Sequence, residues 1–172
     1  MFAILKLIQS LIRALNSEAT PVQVAAGFVL GSALGLTPLM SLHNLLIVAA
    51  IALFRVTVPG AVLGWIVMTP VAFLLDPVFD AVGRIFLIDA GGLTPFWTTV
   101  TNTPVLALAN LNNTIVLGSL VVWAVLTVPL FFLARIGIVQ YRIHVFPKLQ
   151  RMKLFRALQA SKAYNLYRMF RP

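Results

Sequence analysis

The sequence contains no cysteine, and it has only four acidic residues and two histidines among 172 positions. The absence of cysteine excludes disulfide bonds, thiolate nucleophiles and cysteine-based metal sites. So few carboxylates and imidazoles leave little for acid–base catalysis, and no hydrolase, metalloprotease or nucleotide-binding motif occurs. We therefore expect a protein that is not an enzyme, with no catalytic residue, no metal site and no cofactor.

Charged residues are also scarce, at 10% of the chain, against about 25% in ordinary soluble domains. Apolar residues make up 60% of the chain, and the mean hydropathy is +0.99. The segments from Ala19 to Phe54 and from Ala90 to Ala134 contain no Asp, Glu, Lys or Arg. Because uncharged stretches of this length indicate membrane-embedded segments, we predict an all-α, polytopic helical membrane protein. One membrane domain covers residues 1–138, and a basic tail covers 139–172.

The positive charge is concentrated at one end of the chain. Eight of the thirteen basic residues lie in the last 31 positions, and no acidic residue follows Asp89. A basic segment beside a membrane helix is typical of a cytoplasmic tail on anionic lipid rather than of a nucleic-acid site. We therefore expect an inner-membrane protein with both termini in the cytoplasm and residues 76–114 on the far side. The candidate contacts with anionic lipid are Lys6, Arg13, Lys148, Arg151, Lys153 and Arg156.

Residues 1–17 have an amphipathic pattern. At about 100° per residue on a helix, their polar side chains fall within one narrow arc and the apolar ones cover the rest. A helix of this kind, with cations on its polar face, lies in the membrane interface. The alternative is a helix that packs over the neighbouring hairpin.

The segment 21–54 is the central feature of the sequence. Gly27, Gly31 and Gly35 repeat every four residues, so on a helix they line one side. This glycine stripe lets a second helix approach closely, which is how membrane helices associate. We expect these three glycines to be packing residues. Gly118, which belongs to no such repeat, is expected to tolerate a larger side chain better.

A polar break follows the glycine stripe. Thr37-Pro38 interrupts the helix, and His43 and Asn44 precede a second apolar arm. Each arm is shorter than the roughly 20 residues that a straight span needs, so the pattern predicts a helix–break–helix hairpin, either re-entrant or spanning. Polar groups at membrane depth are candidate functional residues. The alternative is a tip whose polar groups are satisfied by backbone carbonyls and lipid head groups.

A membrane helix is predicted over 61–75, with a second break at Thr69-Pro70. The two Thr-Pro steps, each between apolar arms, are either a repeat of the kind that forms transporter sites or a chance recurrence. Asp76-Pro77 is then expected to begin an amphipathic helix over 77–89, because it matches a cap followed by proline.

The later part of the chain contains one long apolar stretch. On the helix over 77–89, the spacing of four predicts an interfacial ladder of Asp76, Asp80 and Arg84. Residues 93–114 are expected to form a loop with one short helix over 105–111. Residues 115–138 are predicted to be a transmembrane helix.

Over residues 20–138, the order of motifs resembles the small bacterial membrane proteins grouped as domain of unknown function 2062. The motifs are the glycine-repeat helix ending at a proline, Arg55-Val-Thr-Val-Pro59, Trp65 before Thr69-Pro70, Gly83-Arg84 and Leu117-Gly118-Ser119-Leu120. This chain lacks the family's Gly-x-Gln after the first proline and has Thr69-Pro70 in place of Asn-Pro, which indicates a divergent subgroup. The resemblance implies an inner-membrane location and supplies no catalytic residue.

Two classes of function fit these observations. The first is a membrane-embedded partner or anchor subunit of a larger envelope complex, with lipid transport as the candidate process. The second is a small oligomeric transporter, channel or lipid scramblase with re-entrant broken helices. Expected partners are membrane lipids and either a larger membrane or envelope protein or further copies of this chain.

Overall fold

A computed structural model describes residues 19–38 and 41–151. The predicted interfacial helix over 1–17, with Lys6 and Arg13, lies outside the described residues. Lys153 and Arg156 of the tail lie outside them as well. The part of the chain that is described is entirely helical and turn, without a strand.

The first two helices are separated by the predicted break. Helix α1, Pro21–Leu36, begins with a capping box between Thr20 and Gln23 and with a proline in its first turn. It ends at Thr37, whose backbone is extended, and helix α2, Leu42–Leu53, follows. The helix–break–helix arrangement predicted for 21–54 is therefore present.

Helix α3, Val58–Arg84, runs through both of the next predicted boundaries. Pro70 and Pro77 lie inside it, so the separate helices predicted over 61–75 and 77–89 are wrong, as is the helix break at Thr69-Pro70. A proline inside a helix removes one backbone hydrogen bond and adds a local clash. Packing of α3 against α1 and the last long helix offsets that cost. The helix therefore continues although proline has a low helix propensity. A π-helical turn, Ile85–Asp89, ends α3.

The segment 93–114 contains more helix than its composition suggested. After a short 3₁₀ turn, Gly91–Leu93, come helix α4, Thr94–Asn102, and helix α5, Pro104–Ala107. The predicted loop with one helix over 105–111 is therefore wrong in its helix content. Four threonine hydroxyls donate to the carbonyl oxygen four residues earlier, which satisfies their polar groups inside a helix; these are Thr98, Thr99, Thr101 and Thr103.

Helix α6, Thr114–Gln140, begins at Asn113, whose side chain accepts from two backbone N–H groups of the first turn. It contains the predicted span 115–138. The helical path continues through a π-helical turn, Tyr141–Val145, into helix α7, Phe146–Arg151. The boundary predicted at residue 138 is therefore not a helix end.

Helices α1, α3 and α6 form the bundle. Gly31 faces Ala61 and Gly35 faces Trp65, so α1 runs parallel to the first half of α3. Trp123 reaches Val29, whereas Arg142 reaches Ala19, so α6 runs antiparallel to α1. Helix α2 lies beside this bundle with little covering it.

Two helical stretches in the described residues are long and apolar enough to cross a membrane, by length and composition. They are Val58–Asp89 and Thr114–Lys148. Only 17% and 22% of their most apolar windows are buried inside the protein. Their apolar side chains are thus mostly on the outside of the bundle.

Candidate functional site

The glycine stripe lies at the crossing of α1 with α3. A Cβ atom on Gly31 would overlap the backbone of Ala61, and one on Gly27 would overlap that of Thr57. A Cβ on Gly35 would lie 2.8 Å from the carbonyl oxygen of Trp65. Because these neighbouring atoms are backbone, they cannot rotate away. The two helices are therefore in contact through their main chains.

Helix α3 contributes glycines of its own to this crossing. Gly60 faces the carbonyl oxygen of Val24, and Gly64 faces that of Phe28. The contact is reciprocal, with glycine on both helices. We did not identify Gly60 and Gly64 from the sequence, although their spacing of four is the signal that singled out the stripe on α1.

A second close crossing joins α3 to α6. A Cβ on Gly118 would overlap the carbonyl oxygen of Phe79, and one on Gly83 would overlap that of Thr114. Both glycines are buried. The expectation that Gly118 tolerates a larger side chain is therefore wrong, because an isolated glycine on one helix meets an isolated glycine on another.

Side-chain hydrogen bonds connect the two helices across the break between α1 and α2. The Thr37 hydroxyl lies 2.8 Å from both the carbonyl oxygen of Ala33 and the Asn44 side-chain oxygen, and its single proton serves one at a time. The Asn44 amide donates to the carbonyl oxygen of Pro38 at 2.7 Å. Thr37 and Asn44 are both buried. Asn44 thus ties the second helix back to the end of the first.

His43 lies at the outer side of the same break. Its Nε2 atom is 2.8 Å from the Ser41 hydroxyl, which donates to the carbonyl oxygen of Pro38 at 3.0 Å. The tautomer of His43 decides whether Nε2 or the Ser41 hydroxyl donates in this contact. The Nδ1 atom of the same ring is buried. The structure therefore brings together all four residues predicted for the hairpin tip: Thr37, Pro38, His43 and Asn44.

The turn before α6 covers the break. The Leu42 backbone N–H donates to the carbonyl oxygen of Leu108 at 3.2 Å. Asn110, within this turn, has a φ of 54°, a left-handed conformation that asparagine adopts more readily than most residues. This contact was not predicted, because a backbone bond between distant segments leaves no pattern in the sequence.

The two Thr-Pro steps meet at one cavity of about 330 Å³ between α1, α3 and the start of α6. The first step, Thr37-Pro38, lines one side of it and Thr69 lines another. The Thr69 hydroxyl donates to the carbonyl oxygen of Trp65 at 2.7 Å. Asp76, two turns further along α3, also lines the cavity.

The predicted ladder of three charges is wrong. Asp80 accepts a short hydrogen bond from the hydroxyl of Thr114, and no ion pair joins Asp76, Asp80 and Arg84 in the part of the chain that the structure describes. The start of α6 passes beside Asp80 because of the Gly83–Gly118 crossing. It offers a hydroxyl donor and the positive end of a helix dipole, which a carboxylate favours.

A tryptophan joins α6 to α1. The Trp123 indole N–H lies 3.1 Å from the carbonyl oxygen of Val29 and 3.2 Å from the buried Ser32 hydroxyl. We did not predict this bond. The signal was an indole in a strongly apolar helix, because an indole N–H away from water needs an acceptor.

The bundle has two ends of opposite charge. One end carries Asp76, Asp80 and Asp89 with Arg84, where α3 finishes and α6 begins. At the other end, the Arg142 guanidinium donates to the carbonyl oxygen of Ala19 at 2.9 Å. That end, where α1 and α3 begin and α6 finishes, has these basic residues: Arg55, Arg135, Arg142 and Lys148.

The fold and the closed break define a class: an all-helical protein with two long apolar helices and glycine-mediated crossings. A family model described as "Uncharacterized protein conserved in bacteria (DUF2062)" matches residues 6–145. The chain belongs to this family, and the resemblance drawn from its motifs is confirmed.

A relative in Treponema pallidum (strain Nichols), described as "Uncharacterized protein", is 29% identical over 146 residues. The matched region is 85% of this chain and 90% of that protein. No solved structure matches the chain.

Proposed function

We propose that this protein is a non-enzymatic integral membrane protein of the bacterial inner membrane. In this proposal it acts as a membrane-embedded partner or anchor subunit of a larger envelope complex, with lipid transport as the candidate process. Three observations support the proposal: the exposed apolar surface, the charge at the two ends of the bundle, and the bonding of the buried polar residues.

The exposed surface supports membrane insertion. Phe73 and Leu74 on α3 are 75% and 80% exposed, and Leu133 on α6 is 66% exposed. A core helix of a soluble protein buries such side chains, whereas a membrane helix presents them to lipid. Helix α2 adds further apolar surface at Leu45 and Leu46.

The lengths and charges support an orientation. At 1.5 Å per residue, α3 extends about 33 Å from Val58 to Asp80, the residue beside Thr114, and α6 extends about 31 Å from Thr114 to Arg135. These lengths approach the roughly 30 Å of a hydrocarbon core. Lys and Arg gather at the end of the bundle from which the basic tail continues, and the positive-inside rule puts such an end in the cytoplasm. Both termini are then cytoplasmic, and the break faces the far side.

The bonding of the buried polar side chains favours a partner over a pathway, and it is the observation on which the proposal mainly depends. In the described residues the buried polar side chains are Ser32, Thr37, Asn44 and Ser119. Each forms hydrogen bonds within the protein. A transport path needs polar groups that face the substrate, whereas these four bond to their own bundle.

Gentle extraction from native membranes tests this proposal. The full chain, carrying a small affinity tag, is purified in a mild detergent and the purified material is analysed by mass spectrometry. We expect a larger membrane or envelope protein in a fixed ratio to this chain. A pure homo-oligomer that moves lipid or solute across liposomes would instead support the transporter, channel or scramblase and would overturn the partner proposal.

A further inference from the structure

The depth of the break follows from the register of α1 against α3. A Cβ atom on Gly35 would meet backbone atoms of both Trp65 and Thr69, so Gly35 lies at their level. Thr69 is about 16 Å from Asp80 along a helix with a rise of 1.5 Å per residue. Since α1 runs parallel to α3 and Thr37 is two residues beyond Gly35, the break lies about 13 Å short of Asp80. The break is therefore well inside the length of α3.

The turn before α6 is bonded to the protein at nearly this level. The backbone N–H of Leu42, in the first turn of α2, donates to the carbonyl oxygen of Leu108. Asn44, in the same turn, is hydrogen-bonded to Thr37 and Pro38, so this turn lies beside the end of α1. Leu108 therefore lies near the break and away from the acidic end of the bundle.

The two ends of the segment 90–113 both lie at that acidic end. The π-helical turn Ile85–Asp89 finishes α3 there, and α6 begins there with Thr114 bonded to Asp80. The chain from Leu108 to Thr114 can rise by about 13 Å, because an extended chain advances about 3.3 Å per residue. The segment thus leaves the acidic end, reaches the level of the break and returns.

The surface of this segment suits a hydrocarbon environment. It contains no Asp, Glu, Lys or Arg. Its asparagines are uncharged amides, which cost far less to place in an apolar environment than ionised groups. Large apolar side chains are exposed along it; they are Leu93, Phe96, Val105, Leu106 and Leu108. A group of exposed apolar side chains marks a surface that contacts another molecule or a membrane.

The hydroxyl and indole groups of the segment are bonded within the protein. Thr94 donates to the carbonyl oxygen of Gly91, and each later threonine donates to the carbonyl oxygen four residues earlier. The indole N–H of Trp97 donates to the carbonyl oxygen of Phe86. In lipid, where no water is present, polar groups need partners of this kind inside the protein. These side chains therefore do not require water.

We infer that residues 90–113 form a re-entrant element that enters the membrane from the far side and contacts the acyl chains of that leaflet. The bond from Leu42 to Leu108 holds its tip at depth, against the first turn of α2. The inference rests on the proposed membrane insertion and adds a second element that turns back within the membrane. This element meets the hairpin over 21–54 at the break.

Single cysteines measure the depth of the tip, and the chain has no cysteine of its own. A nitroxide label is attached to Leu106→Cys in the full chain, reconstituted in vesicles of phosphatidylethanolamine and phosphatidylglycerol. Its collision rates with oxygen, which concentrates in hydrocarbon, and with a water-soluble nickel chelate are compared. The references are Leu74→Cys, at an exposed apolar position of α3, and Asp89→Cys, at an exposed carboxylate. We expect the label at 106 to favour oxygen as the label at 74 does, and the label at 89 to favour the chelate.

A proline variant tests the bond that holds the tip. Leu42 is the first residue of α2, and Ser41 before it has an extended backbone. Leu42→Pro therefore keeps the helix and removes the N–H that bonds to Leu108. Leu42→Ala is the matched control, because it shortens the side chain and keeps the N–H. With the label at Leu106→Cys, we expect Leu42→Pro to increase collisions with the nickel chelate and Leu42→Ala to leave them unchanged.

Two outcomes would overturn the inference. If the label at 106 met the nickel chelate as often as the label at 89, the segment would lie on the membrane surface. If Leu42→Pro and Leu42→Ala had equal effects, the backbone bond would not hold the tip at depth. Failure of the proposed function is a different result, because the label at 74 would then favour the chelate as well.

Discussion

Helices α1 and α2 are the two arms of one uncharged, strongly apolar segment, yet α1 is largely buried in the bundle and α2 is largely exposed. Nine of the 16 residues of α1 are buried, against two of the 12 residues of α2. The buried residues of α2 are Asn44 and Ile47. Hydrophobicity therefore does not decide which arm packs.

The arms differ in their small residues. Helix α1 has three glycines at a spacing of four, whereas Leu42–Leu53 has none. In lipid, apolar side chains gain little by leaving one apolar environment for another, so close main-chain packing and hydrogen bonds decide association. Helix α1 is held mainly by glycine contacts, and α2 by the hydrogen bonds of Asn44 at the break.

The largest expected effect comes from filling the α1–α3 crossing. Gly31→Leu would drive a side chain into the backbone of Ala61, so we expect a loss of about 3 kcal/mol or more of unfolding free energy, the upper end for overpacked sites. Thermal unfolding in detergent and the amount of protein in the membrane fraction measure this. Ala49→Leu, at an exposed position of α2, is the matched control. Equal damage from both changes would refute the contrast between the two arms.

The second crossing should respond almost as strongly. Gly118→Leu would meet the backbone of Phe79, whereas the space beside Gly137 on the same helix is open. We expect Gly118→Leu to cost about 3 kcal/mol through overpacking and Gly137→Leu to be nearly neutral. The same unfolding measurements apply. If Gly118→Leu were as mild as Gly137→Leu, α3 and α6 would not be in main-chain contact there.

A smaller loss of unfolding free energy is expected at the break, where hydrogen bonds hold α2 against α1. Asn44→Ala removes the bonds to Thr37 and Pro38 and leaves buried partners unsatisfied, which costs about 2 kcal/mol. Leu46→Ala, on the exposed side of α2, should change stability by less than about 0.5 kcal/mol. Limited proteolysis near Phe54 would report detachment of α2 from α1. A stable Asn44→Ala protein that resists proteolysis would mean that lipid or a partner, rather than Asn44, holds α2.

The parts of this fold that the sequence could predict are those with local signals. The capping box at Thr20, the break at Thr37-Pro38 and the long apolar run of α6 each lie within a few neighbouring residues. The glycine stripe on α1 was visible for the same reason. Each of these motifs predicts its structure directly, because its hydrogen bonds or its spacing involve only residues that are close in the sequence.

Local signals failed where packing from distant segments outweighed them. Pro70 and Pro77 have the appearance of helix boundaries, but α3 continues through both because its faces are held by α1 and α6. Gly118 has no repeat around it, so its importance appears only once Gly83 is opposite. Asp80 bonds to Thr114, 34 residues away, instead of to Arg84 one turn away.

The smallest expected effect on the stability of the fold concerns the basic end, because charge at this end acts on lipid binding and not on helix packing. The variant changes four residues to glutamine: Lys148, Arg151, Lys153 and Arg156. Each should lose about 1 kcal/mol of attraction to an anionic leaflet, and the Debye length of about 3 Å at 1 M salt should produce the same loss in the unaltered protein. Retention of phosphatidylglycerol by the full chain in nanodiscs, at low and high salt, measures both effects.

The control for this charge effect lies at the opposite end of the bundle. Arg84→Gln removes a positive charge near the acidic residues. In the proposed orientation this end of the bundle faces away from the cytoplasmic leaflet. We expect it to leave phosphatidylglycerol retention and its salt dependence nearly unchanged, while the fourfold variant loses most of its salt dependence. If Arg84→Gln matched the fourfold variant, or if salt still weakened retention in that variant, the basic tail would not be the lipid contact. The two ends of the bundle would then not differ in the way that their charges predict.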